Sequence, residues 1–131
     1  MIKLSNFELE LLQTRLADIV ERRTRAELKL VVLTAEGEAE LALARTDPEA
    51  ARSLAAFRER MKQHKAAAQR DIDLVVAEES GARDALAEAF ETLKKYEHVA
   101  ESARLAAAKE TARRETVALD ELGLRRATGR R

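Results

Sequence analysis

Thr46-Asp47-Pro48-Glu49 is the stretch that decides how this chain folds. Asp47 suits the N-cap position, where its carboxylate accepts from the free N–H groups of the following turn. Pro48 suits the first helical position, since the N–H it lacks would have no partner there. Glu49 then sits against the positive end of the helix dipole. One helix ends here and another begins. Pro48 is the only proline, and between about Leu4 and Arg45 only Gly37 interrupts the helix formers. The reading is therefore a helix over about 4–45 and a second over about 48–126. The tail 127–131, with Gly129, Arg130 and Arg131, is expected to fray.

Composition agrees with a rod. Of the 131 residues, 37% are charged and 3% aromatic, with four Gly. Globular domains carry about 25% charged residues and more turn formers. Much of the 46% hydrophobic content is alanine, which fills helix seams rather than thick cores. Balanced charge and strong helix formers argue against disorder. The fold class expected is all-α, a long antiparallel helical coiled coil forming one elongated domain over 1–131.

The seam is legible in steps of three and four. Leu9, Leu12, Leu16, Ile19, Arg23, Ala26, Leu30 and Leu33 keep this rhythm in the first helix, and all but Arg23 suit burial. In the second helix Leu54, Phe57, Met61, Ala68, Ile72, Val75, Leu86, Phe90 and Leu93 follow it. The seam then thins to Ala100, Ala103 and Ala107, returning at Leu119 and Leu122. Alanine layers bury little area, at roughly 25 cal/mol per Å², so this part is expected to be weakly held or completed by a partner. Acid-first pairs four residues apart, such as Asp18–Arg22, Glu79–Arg83, Glu110–Arg114 and Glu121–Arg125, read as a solvated outer face.

Two arrangements fit the unequal lengths. A hairpin closed at Asp47-Pro48 leaves the last half of the second helix unpaired. A further bend at Ser80-Gly81 lets the first helix lie against Gly81–Arg126 instead, pairing the leucine-bearing ends. We favour the second for that pairing, although no turn former other than Gly81 supports a break there.

The chemistry of sites is absent. Basic and acidic residues number 24 each, which removes the basic excess that nucleic-acid binding needs. No cysteine is present for disulfides or thiolate metal sites. His64 and His98 lie far apart along a rod, and no glycine-rich phosphate loop or nucleophile turn occurs. No catalytic residue, metal or cofactor is expected. The stretch Met1–Phe7 does not read as a signal peptide, and the longest apolar run, Leu28–Leu33, is broken by Lys29. A bilayer span needs about 20 apolar residues, so the expectation is a cytoplasmic chain with no direct membrane insertion. Function then lies in contacts. Leu54, Phe57 and Met61 are seam residues or a docking patch; Arg113, Arg114, Arg125, Arg126, Arg130 and Arg131 form a basic end suited to the helix dipole or to an acidic partner.

Leu93-Lys94-Lys95-Tyr96-Glu97, a charged alanine-rich stretch, and Glu115-Thr116-Val117-Ala118-Leu119-Asp120-Glu121-Leu122 before the arginines resemble the C-terminal helix of the FliJ family. These are small coiled-coil stalk proteins of the bacterial flagellar type III export apparatus. Glu101-Ser102-Ala103-Arg104 departs from the acidic-arginine-arginine run common in that family, which keeps the related stalk protein of virulence injectisomes in view. The resemblance implies an antiparallel coiled coil of the two chain ends, entering the central hole of the hexameric export ATPase. It also implies a hairpin tip reaching the membrane export-gate protein, with export chaperones as further partners. By position Phe7, Leu11, Arg125 and Arg126 belong to the ATPase end, and Leu54, Phe57 and Met61 to the tip. A homo-oligomeric scaffold or adaptor, or a secretion chaperone, is the alternative that the heptads alone allow. A membrane-surface helix is disfavoured by the mixed-sign faces.

Overall fold

The chain forms a helical hairpin in a computed structural model that describes residues 1–129. Helix α1 spans Ile2–Ala44 and α2 spans Pro48–Gly129. Arg130 and Arg131 of the basic end lie outside the described residues. At 1.5 Å per residue α1 is about 65 Å long and α2 about 120 Å.

The bend is built from the residues the sequence marks. The N–H groups of Thr46 and Asp47 donate to the Leu43 carbonyl at 3.1 and 2.9 Å, closing the end of α1. Asp47 Oδ1 accepts from the Glu49 N–H at 3.0 Å, and the Asp47 carbonyl accepts from Ala51 at 3.0 Å. The reversal needs no residue at positive φ.

So short a connection sends α2 straight back along α1, and pairing starts at Ala50, which is buried. All eight α1 positions expected in the seam are buried or half-buried, and Ile19 is only 1% exposed. On α2 the facing series includes Leu54, Phe57, Met61, Ala68, Ile72, Val75, Leu86 and Leu93. Phe90 departs from expectation: it is half exposed, and Ala89 takes its place. The step from Ala82 to Leu86 is four, so the seam requires three next, and Ala89 answers.

The bend expected at Ser80-Gly81 does not form. Helix α2 runs unbroken through both residues. Glu79 and Ala82, on either side, are buried against α1 and hold the backbone helical across the glycine. Glycine costs about 1 kcal/mol against alanine in a helix, which this packing offsets. Helix α1 therefore lies along α2 from Ala50 to about Ala100, and meets only the first part of Gly81–Arg126. Its first residues meet Tyr96, Val99 and Ala100. From Glu97 to Gly129 every residue except Glu110 is exposed. The helix passes beyond Arg126 to Gly129, so Ala127 and Thr128 are helical rather than frayed.

Candidate interaction surfaces

The functional features of the hairpin are surfaces on a shaft, a bend and a projecting helix. Inside the shaft lies one charged cluster. Arg23 is a seam position on α1, and its Nη1 donates to Glu79 Oε2 at 2.5 Å. Arg83, one turn along α2, donates to Glu79 Oε1 at 2.8 Å. Glu79 is 4% exposed. The hydrogen bond from Arg83 leads in holding the Glu79 carboxyl below its ordinary value; desolvation opposes it and the Arg23 charge assists. Beside the seam, Arg22 pairs with Glu78 at 2.6 Å, and this hydrogen bond raises the Arg22 pKa.

Sequence reading assigned Glu79 to the solvated face because Arg83 follows it by four. The signal that finds it buried is the run Ile72, Val75, Glu79, Ala82, Leu86, whose steps of three and four include the glutamate. The unexplained Arg23 in the α1 seam supplies the opposite charge. Asp18–Arg22 is not an ion pair, since Arg22 turns across to Glu78 instead.

Near the bend, Leu54, Phe57 and Met61 stand together, each half-buried in the seam. An open groove there is lined by Thr34, Gly37 and Leu41 of α1 and by Phe57, Met61 and Lys65 of α2. A Cβ added to Gly37 would meet the Met61 Cγ at 3.6 Å, an ordinary packing distance, so the methionine lies over the glycine and leaves room for a methyl group. The α2 series takes two steps of four in succession here, Phe57 to Met61 to Lys65, which locally unwinds a coiled coil. Arg58 and Lys62 stand on the groove's rim with Glu38.

Phe7 and Leu11 are 58% and 56% exposed, and with Leu4 at 70% they make an apolar stripe on α1 away from the seam. Arg125 and Arg126 are exposed on the projecting helix. The structure does not bring these two pairs together. Leu12 lies level with Ala85–Thr92, and Arg125 is more than thirty residues farther along α2, roughly 50 Å at the helical rise. The antiparallel coiled coil of the two chain ends is thus absent from the hairpin, because α1 is spent against the first part of α2.

The projecting helix is stabilised from within. Glu101 pairs with Arg104 at 2.7 Å, and Glu110 with Arg113 at 2.7 Å and Arg114 at 3.2 Å. These hydrogen bonds lower the pKa of both glutamates. His64 and His98 are exposed, and among the described residues no group of three or more His, Cys, Asp or Glu is placed to hold a metal ion. No helix of the described chain is long and apolar enough to cross a membrane.

No family model and no solved structure matches the chain. Over 127 residues it is 50% identical to the "Flagellar FliJ protein" of Caulobacter vibrioides strain NA1000 / CB15N, covering 97% of this chain and 91% of that relative. The same identity and coverage hold for the "Flagellar FliJ protein" of strain ATCC 19089 / CIP 103742 / CB 15. The likeness first read in Leu93–Glu97 and Glu115–Leu122 therefore extends along nearly the whole hairpin, and the chain belongs to the FliJ family of flagellar proteins.

Proposed function

We propose that this chain is a non-enzymatic stalk of the flagellar type III protein export apparatus, cytoplasmic and peripheral to the membrane-bound machinery. The observation that carries the reading is the projection of α2 as a single exposed helix from Glu97 to Gly129, opposite the capped bend. A thin, charge-laced helix standing out from a stiffer shaft is a shape suited to insertion into a ring.

In this reading the projecting helix, with Arg125 and Arg126, enters the hexameric export ATPase. Phe7 and Leu11 stand behind it, where the shaft becomes two helices wide. The bend, with Leu54, Phe57 and Met61 close by, faces the membrane export-gate protein; export chaperones are further partners. The chain contributes no catalytic group of its own and acts on ring assembly and turnover.

A steady-state ATPase assay with the purified export ATPase tests the reading. Wild-type chain is expected to stimulate turnover, and Arg125→Glu combined with Arg126→Glu to abolish most of that stimulation while circular dichroism stays helical. Unchanged stimulation by the double variant overturns the assignment of these arginines. Absence of stimulation by the wild-type chain overturns the stalk reading itself.

A further inference from the structure

The seam of α2 continues past the end of α1. Met1 stops beside Val99 and Ala100, yet Ala100, Ala103 and Ala107 carry on in the steps that Ala89, Leu93 and Tyr96 keep beneath α1. Val117 and Leu124 resume the same line, and both are exposed, at 43% and 67%. Glu110 and Arg114 interrupt it at the centre, four residues apart and paired with each other at 3.2 Å within the helix, and Glu121 interrupts it again between Val117 and Leu124.

We propose that a second copy of this chain packs antiparallel on this uncovered seam, forming a homodimer through the two projecting helices. The charges select the partner and its direction. A two-fold axis level with Ala112 sets Glu110 against Arg114 of the second copy, and Arg114 against its Glu110. The same register sets Ala107 opposite Val117 and Ala103 opposite Glu121. Parallel packing instead opposes Glu110 to Glu110 and Arg114 to Arg114. Arg113 lies near the axis in both copies, and Glu110 of its own helix holds it at 2.7 Å.

With the axis at Ala112, Gly129 of the second copy is level with Lys95, so Leu124–Gly129 of that copy reach the first residues of α1, and the seam the two copies share is Ala103–Glu121. Sliding one heptad toward the bend lengthens that overlap with α1. Sliding one heptad the other way opposes Glu110 to Glu121. Alanine layers make the association weak. The dimer covers the helix assigned above to the ATPase, so the copies must part before insertion; the inference goes beyond that reading and does not depend on it.

Sedimentation equilibrium of the full chain alone, over a concentration series, tests the proposal, with helicity followed by circular dichroism. A concentration-dependent dimer is expected. Glu110→Arg and Arg114→Glu should each weaken it by about tenfold, because like charges then meet at the axis. The variant carrying both changes should restore it, since the reversed pair still finds its complement. The chain lacks cysteine, so Thr111→Cys, beside the axis, should form an intermolecular disulfide under air oxidation. Ala112→Cys, on the side of the helix away from the seam, should not. A chain that stays monomeric throughout, a dimer indifferent to the single reversals, or a double variant no better than the singles overturns the proposal. These measurements contain no ATPase, so their failure is distinct from failure of the stalk reading.

Discussion

Arg23 and Glu79 meet inside the seam, where each replaces an apolar residue on its own helix, and Arg83 holds the second carboxylate oxygen. A charged layer of this kind adds little net stability over apolar packing of the same volume, but it is costly to break from one side. In a hairpin whose buried apolar residues include three alanines, it supplies what alanine layers lack, a reason to prefer one register over the next heptad.

Replacing one member should therefore cost more than replacing both. Arg23→Leu leaves Glu79 buried with half its partners, and Glu79→Leu leaves the half-buried Arg23 with only Glu27, at 3.6 Å. Each is expected to lower the thermal midpoint. The double variant should recover most of the loss. A double-mutant cycle by thermal denaturation measures the coupling, and additive single effects would show that the pair does not act as a unit.

Acid should act through the same carboxylate. Its folded-state pKa lies below the ordinary value, so the unfolded chain binds the proton more readily. The stabilisation is complete above the ordinary carboxylate range and is lost as pH falls through the depressed folded value. Glu79→Gln should flatten the acid limb of a plot of thermal midpoint against pH. Glu101 and Glu110 are shifted in the same direction on the projecting helix, so helicity there should fall over a similar range, and that part should persist in the Glu79→Gln variant.

Gly81 is a helix-interior glycine with open space where a Cβ would be. Gly81→Ala is expected to stabilise the chain by about 1 kcal/mol. Gly81→Pro should break α2 at that point and release the shaft beyond it. Chemical denaturation of both variants checks the pair. A destabilising alanine would show that the glycine serves a bend that the hairpin does not contain.

Core and projection should separate in local stability. Ile19→Ala removes the most buried side chain of the shaft and should cost about 2–4 kcal/mol. Leu105→Ala, at a residue 50% exposed, should fall within about ±0.5 kcal/mol. At concentrations low enough to keep the chain monomeric, hydrogen exchange is expected to be slow in the shaft, between Leu9 and Leu93, and fast from Glu101 onward, where local ion pairs support the helix. Equal protection along α2 would contradict this division.

Much of this fold is legible in the residues. Asp47 and Pro48 announce the bend, and the leucines of α1 announce the seam, because capping and periodicity are local properties. The partner segment of α1 was misread because both halves of α2 carry compatible periodicity, and the leucines of the C-terminal part drew the pairing toward them. The deciding constraint is the connection: three residues between Ala44 and Pro48 leave α1 no route to a distant segment. Leu119 and Leu122 are exposed on a different side of α2 from Ala107, which periodicity shows only when the count is carried through Glu110 and Arg114. The surfaces were less legible than the seam. Phe57 and Met61 are large apolar residues whether they pack on Gly37 or face a partner, and Phe7 differs from Leu9 only by its place on the wheel.

At Met1 the molecule changes from two helices wide to one. A single helix with its side chains is about 10–12 Å across, and a pair is nearly twice that in one direction. An aperture that admits the first and excludes the second accepts α2 only as far as Tyr96, where the start of α1 forms a shoulder. For such an aperture, the level at which α1 meets Tyr96 would set how far α2 passes. Lengthening the chain before Ile2 as helix would shorten the reach of α2, and trimming α1 from its start would extend it, with no change in the residues that project.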